Sequence, residues 1–234
     1  MARFLSGAAD GAVAQYGGNY LAYVLVGVLL NQVGLAALLA PGRTISDAFW
    51  DKRLETYRLA AFGIWANVVG RLAWQVVFST VLQVAAAALL VAFGGLHLTG
   101  AVDWPLAALV WLLMVMAASG LGLMGASLFF LLEVKNGQDP VTWTYQYLVQ
   151  IVSGLYVPVA VLPGWLRAIG QVLPQTYTFA AMRLIVLTGA SGAAVEHSVL
   201  GLAVAALLAI GCGALMLRWA LARSERLGGL GVTV

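Results

Sequence analysis

Charge is what this sequence has least of. Only 9% of its 234 residues are Asp, Glu, Lys or Arg, and 62% are hydrophobic, whereas soluble domains carry roughly 25% charged residues. A chain of this composition is an integral membrane protein, and its apolar surface is buried in lipid. Twelve bases against nine acids leave a net charge of +3. Those bases are too few and too scattered to make a nucleic-acid surface. A single cysteine, Cys212, sits inside an apolar run. It excludes an internal disulfide and a Cys-rich metal site, and it reads as a small packing residue. The two histidines, His97 and His197, fall at or near the ends of apolar stretches, and no His/Glu cluster suggests a metal. Neither Lys52 nor Lys135 stands in the glycine pattern of a phosphate-binding loop. No Ser has an acid placed beside it as a catalytic triad requires. No ionisable residue falls at the middle of an apolar stretch, where membrane enzymes and ion-coupled carriers usually place one. If this chain moves something, the energy comes from a partner. The opening "MARFLSGAADGAVAQYGG" has one Arg and no sustained apolar core, so it is not written as a signal peptide.

What is present is apolar length. About 20 mostly apolar residues cross about 30 Å of hydrocarbon, and five stretches approach that: 20–40, 68–93, 106–132, 141–157 and 199–219. Their connections are charged asymmetrically. Arg43, Lys52, Arg53, Arg58, Arg71, Lys135, Arg218, Arg223 and Arg226 fall on one side, and Arg3, Arg167 and Arg183 on the other. Nine bases against three place the first connection, the third connection and the C-terminus in the cytoplasm. No repeat and no Ser/Pro linker divides the chain, which predicts one membrane domain over 1–234.

Within the stretches, polar residues are sparse and patterned. Gln146, Gln150, Ser153 and Gly154 follow i, i+4, i+7, i+8 and form a polar, small stripe on one helical face. Gln75 and Gln83 lie in the second stretch, Asn31 and Gln32 in the first. Such residues either line a path between helices or hold helices together, at ~0.6 kcal/mol per bond. "AASGLGLMGAS", Ala117 to Ser127, is dense in small residues that let helix backbones approach closely.

The first connection, "RTISDAFWDKRLETYRLAAF", predicts a short amphipathic helix over 44–58, opened by a capping-box-like Thr44 and Asp47. Ile45, Phe49, Trp50, Leu54 and Tyr57 share one half of the wheel, and Asp47, Asp51, Glu55 and Arg58 the other. Lys52 borders the polar half, and Arg53 intrudes on the apolar one. Asp47, Asp51 and Glu55 stack like charges along one ridge, which costs a few tenths of a kcal/mol per pair. Either a basic partner docks there, or the helix lies on the membrane with its charges in water.

The segment "YVPVAVLPGWLRAIGQVLPQTY" is apolar but broken by Pro158, Pro163 and Pro174. Non-helical backbone is tolerated at membrane depth only where protein or a water-filled cavity covers it. The prediction is a re-entrant segment over 158–177 on the outer side. Trp165 would sit at headgroup level with Arg167 reaching to lipid phosphates, and the segment would act as a lid on a path through the bundle.

"SGLYVPVAVLPGWLRAIGQVLPQTYTFAAMR", Ser153 to Arg183, resembles the C-terminal signature of the membrane subunit of type-2 ABC exporters. Ser153-Gly154, Pro158, Leu162-Pro163, Trp165-Leu166, Pro174, Tyr177 and Arg183 carry the resemblance. "YGGNYLAYVLVGV" resembles that family's second span and its approach. The resemblance implies an all-α polytopic transmembrane bundle. It would have five spans here, an external re-entrant helical segment and a cytoplasmic amphipathic coupling helix. The family has six spans, so this chain is expected to lack the first.

By position, the coupling helix is 44–58, with Asp47, Asp51, Lys52, Arg53, Glu55 and Arg58 meeting a separate ATP-binding subunit. Glu55 and Arg58 depart from the family's usual residues there. Gln146, Gln150 and Ser153 would line the substrate path. Pro158, Pro163, Trp165, Pro174 and Tyr177 would form the external gate. ATP and Mg would be bound by the partner, with no cofactor in this chain. Two permease subunits, alike or different, would pair in a bacterial cytoplasmic membrane and export a drug-like, lipid or lipid-linked glycan substrate. A non-transporting accessory subunit and a lipid-modifying enzyme are the alternatives.

Overall fold

The computed structural model describes residues 13–51, 63–94, 101–132 and 140–226. Among them every regular element is helical. The helices are α1 (Tyr20–Trp50), α2 (Gly63–Ala92), α3 (Trp104–Leu132), α4 (Pro140–Val152), α5 (Gly164–Val172), α6 (Pro174–Arg183) and α7 (Ala193–Arg226). Short 3-10 turns at Ala14–Tyr16 and Val159–Val161 and a π-helical turn at Leu184–Thr188 join them.

Four helices, α1, α2, α3 and α7, are long and apolar enough to cross a membrane. Each follows from an uninterrupted apolar run, and each extends past the predicted boundaries into flanking residues that continue the helix. α3 is the centre of the bundle, flanked by α1 and α7. Its small residues explain why. A Cβ on Gly120 would collide with the backbone of Ala209 and Ile210 in α7, and one on Gly122 with the Leu38 carbonyl in α1. Gly213 of α7 answers by lying against the Gly120 carbonyl. Backbone contact at both faces of one helix requires glycine there. α2 packs on α1 and shows its other face outward, with Trp74, Val77, Phe78 and Val81 exposed. Such a face is stable against hydrocarbon and not against water.

Two expectations change. The stretch 141–157 is helical only as far as Val152. α4 has 13 residues, or about 20 Å at 1.5 Å each, which falls short of the ~30 Å core. The cause is local. Ser153 turns its hydroxyl back onto the Val149 carbonyl, Gly154 takes φ +84°, and Pro158 follows. A left-handed glycine is the common way to end a helix. Among the described residues, four helices are of crossing length, and the fifth predicted stretch, 141–157, is not one of them.

The second change is at 44–58. Thr44 opens no new helix there. α1 runs through Pro41 to Trp50 without a break, and Thr44 Oγ1 donates to the Ala40 carbonyl at 2.7 Å inside it. An interior proline costs about 3 kcal/mol. Burial of Ile45 and Ala48 offsets it: Ile45 packs with Val68, Leu123, Ala126 and Leu217, and Ala48 with Ile64. The rest of the predicted amphipathic helix, 52–58, lies outside the described residues.

The proline-punctuated segment behaves as its prolines dictate. Pro163 precedes α5 and Pro174 is the first residue of α6, where a fixed φ and a missing N–H cost nothing. α5 is exposed apart from Leu166 and Gly170, while α6 is buried along most of its length.

Candidate functional site

α6 ends in Arg183, which is 1% exposed. Its Nε–H donates to the Tyr23 carbonyl at 3.0 Å, Nη1 to Gly154 at 2.8 Å and Nη2 to Leu155 at 2.8 Å. The guanidinium carbon lies 3.5 Å from the Tyr23 ring centroid and 5.5 Å from that of Phe179. The Tyr23 hydroxyl donates to the same Gly154 carbonyl at 2.6 Å. No carboxylate among the described residues pairs with Arg183. A buried charge is tolerable only when its hydrogen bonds are made, and here carbonyls make them. Their source is the end of α4. Once the chain leaves the helix after Val152, the carbonyls of Gly154 and Leu155 have no N–H in the helix ladder. A planar fork of donors is the side chain that collects such oxygens together. Gly27 supplies the room: a Cβ there would collide with Arg183 Nη2 and sit 3.1 Å from Leu155 Cδ1. One guanidinium thus ties α1, the 153–157 elbow and α6 together.

The rest of the broken segment is stitched to the same elbow. Gly170 of α5 lies so close to the Val152 carbonyl that a Cβ would collide. Thr176 Oγ1 donates to the Gly170 carbonyl at 2.5 Å and the Tyr177 hydroxyl to Gln171 at 2.8 Å. Arg167, expected at lipid phosphates, instead donates to the carbonyls of Ala160 and Leu162. It caps the turn beneath its own helix.

The predicted gate residues divide. Pro158 and Pro174 are buried, Tyr177 is half-buried against Gly201 of α7, and Pro163 and Trp165 are exposed. The predicted path residues also divide. Ser153 is buried and closed on its own helix. Gln146 and Gln150 are half-buried beside the inward face of α4, which is Tyr145, Val149 and Val152.

At the other end of α1 a cleft opens between its last turns and the first turns of α2. Its volume is about 500 Å³, and Thr44, Asp47, Asp51, Asn67 and Arg71 give it a polar lining. Arg71 Nη2 meets Asp47 Oδ2 at 2.7 Å. The acidic ridge is thereby partly neutralised from within the chain, by a residue the sequence reading uses only for orientation. Asp51 is exposed at the cleft. Lys52, Arg53, Glu55 and Arg58 lie outside the described residues. The elbow at Tyr23 and the cleft at Asp47 are separated by roughly 36 Å of one helix.

Sequence reasoning missed the Arg183 centre. It placed Arg183 by the sign of its charge and as the last residue of the Ser153–Arg183 resemblance, and neither signal brought its side chain to the elbow. It also missed Tyr23 and Gly27, which carry no pattern of their own. No family model matches the chain, and no curated protein matches it.

Proposed function

We propose that this chain is the permease subunit of a type-2 ABC exporter in a bacterial cytoplasmic membrane, working with a separate ATP-binding subunit. The observation that carries the reading is the layout along α1. At one end the helix is bolted through Arg183 to a proline-broken unit of short helices. At the other it carries the cleft lined by Asp47, Asp51 and Arg71. A continuous helix joining a lid to a polar docking end suits a subunit moved by a partner. The resemblance of Ser153 to Arg183 to the exporter signature supports the same reading.

In this account the ATP-binding subunit docks at the cleft and the 52–58 segment. ATP binding there displaces the end of α1, and the displacement reaches the elbow and the lid as a rigid-body tilt. Two such permease subunits enclose the path, and the substrate is drug-like, a lipid or a lipid-linked glycan. ATP and Mg belong to the partner.

The test is reconstitution in lipid vesicles with a candidate ATP-binding subunit sought in the neighbouring reading frames. The wild type is expected to co-purify with it and to support ATP hydrolysis. Asp51→Lys with Glu55→Lys is expected to lower the co-purified ATPase at least tenfold. If the double variant keeps full association, the docking assignment is wrong.

A further inference from the structure

We infer that Tyr145 of α4 and Gln175 of α6 form a buried site that binds a hydroxyl group at the start of α6. α6 opens on Pro174 with no side chain capping it, so its first N–H groups need partners from elsewhere. The Thr176 N–H closes onto the Leu173 carbonyl at 3.1 Å. The Gln175 N–H faces the Tyr145 hydroxyl, yet that hydroxyl closes no hydrogen bond of good geometry with any protein atom. Gln175 Oε1 has no protein partner either. Both side chains are more than nine-tenths buried, at 8% exposure for Tyr145 and 4% for Gln175. A third unpartnered polar atom, the Trp111 Nε1–H of α3, belongs to a ring packed against the same cluster as Tyr145. The buried cluster that includes Tyr145 is otherwise apolar, with Ala37, Leu38, Val149, Leu173 and Phe179 among its members.

Buried polar atoms in native proteins are nearly always satisfied, so unpartnered ones grouped in an apolar shell define what they would hold. The chemistry is specific. Tyr145 offers a proton, and Gln175 Oε1 offers lone pairs. A carboxylate or phosphate would be repelled by Gln175 Oε1, and an ammonium would face N–H groups. A hydroxyl both accepts from Tyr145 and donates to Gln175. It comes from water or from the alcohol of an amphipathic molecule, and only the second source rests on the exporter reading. The site lies on the inward face of α4, beside Gly34 and Met114, and not on the Gln146 and Gln150 flank that the sequence suggested as the path.

The experiment is radiolytic hydroxyl-radical labelling of the full chain in lipid vesicles, scored at single tyrosines. Tyr23, buried with its hydroxyl bonded to Gly154, is the internal control. Tyr145 is expected to label at least tenfold faster than Tyr23, because an ordered water beside it is a local radical source. Decanol is expected to slow that labelling at least threefold where decyl methyl ether, which cannot donate, does not. Fast labelling with no difference between the two probes assigns the hydroxyl to water and sustains the site. Labelling of Tyr145 no faster than Tyr23, together with a higher Tm for Tyr145→Phe, overturns it. None of these readouts needs ATP or transport, so they fail separately from the exporter reading.

Discussion

Arg183 is the residue on which the broken segment turns. Three backbone oxygens from two distant parts of the chain converge on it. Lysine would keep the charge and lose the fork. Arg183→Lys is expected to cost about 2 kcal/mol, since hydrogen bonds to charged groups contribute ~1.5–3 kcal/mol each and a lysine keeps only part of the set. For a chain of this size that is a fall in Tm of roughly 4–8 °C, readable by thermal shift in detergent. Arg183→Leu is expected to fall further, because it strands the carbonyls. Gly27→Ala is expected to resemble the lysine variant, because its new methyl meets Arg183 Nη2. Equal Tm values for wild type and Gly27→Ala would contradict this packing. At this scale the sequence was least legible. Arg183, Tyr23 and Gly27 are separated by as much as 160 positions, and only the fold brings them together. Asp47 and Arg71 are the milder case: each was noticed, and their pairing was not.

Helices were read from hydropathy with more success, for a physical reason. A run of apolar residues in lipid must satisfy its own backbone, and only a helix does so within one segment. α1, α2, α3 and α7 follow directly from that. The reading stumbled where helix ends depend on backbone detail. Hydropathy counted 141–157 as one unit, whereas Ser153 and Gly154 stop α4 after 13 residues. It separated 44–50 from the first stretch because Thr44 and Asp47 looked like a capping box opening an amphipathic helix, whereas packing carries α1 through Pro41 to Trp50. The prolines at 163 and 174 were legible because each stands at a helix start. Helix packing gives a paired prediction within α7. Gly213→Leu places a side chain against the Gly120 carbonyl and Leu123 and is expected to part α3 from α7, seen as loss of the monodisperse folded peak in size-exclusion chromatography. Gly211→Ala meets nothing within 4 Å and is expected to raise stability by ~1 kcal/mol, the helix-propensity difference. If both are tolerated alike, the close approach of the two backbones is wrong.

Across the whole molecule, polarity is arranged along one axis, that of α1. The Arg183 elbow and its short helices stand at the end where α1 begins. The Asp47–Arg71 cleft stands where it ends. In the proposed reading, the excess of bases in the sequence on that side is what assigns the cleft end to the cytoplasm. Composition alone made the membrane assignment legible. It left the function to the elbow and the cleft, whose residues acquire meaning only once α1 is seen to join them. The most direct measurement is cysteine accessibility in intact cells and inverted vesicles, after Cys212→Ala removes the native thiol. Trp165→Cys, on exposed α5, is expected to react with a membrane-impermeant maleimide from outside only, and Ala66→Cys, in the cleft, from inside only. Reaction of Trp165→Cys from the cytoplasmic side alone would contradict the account.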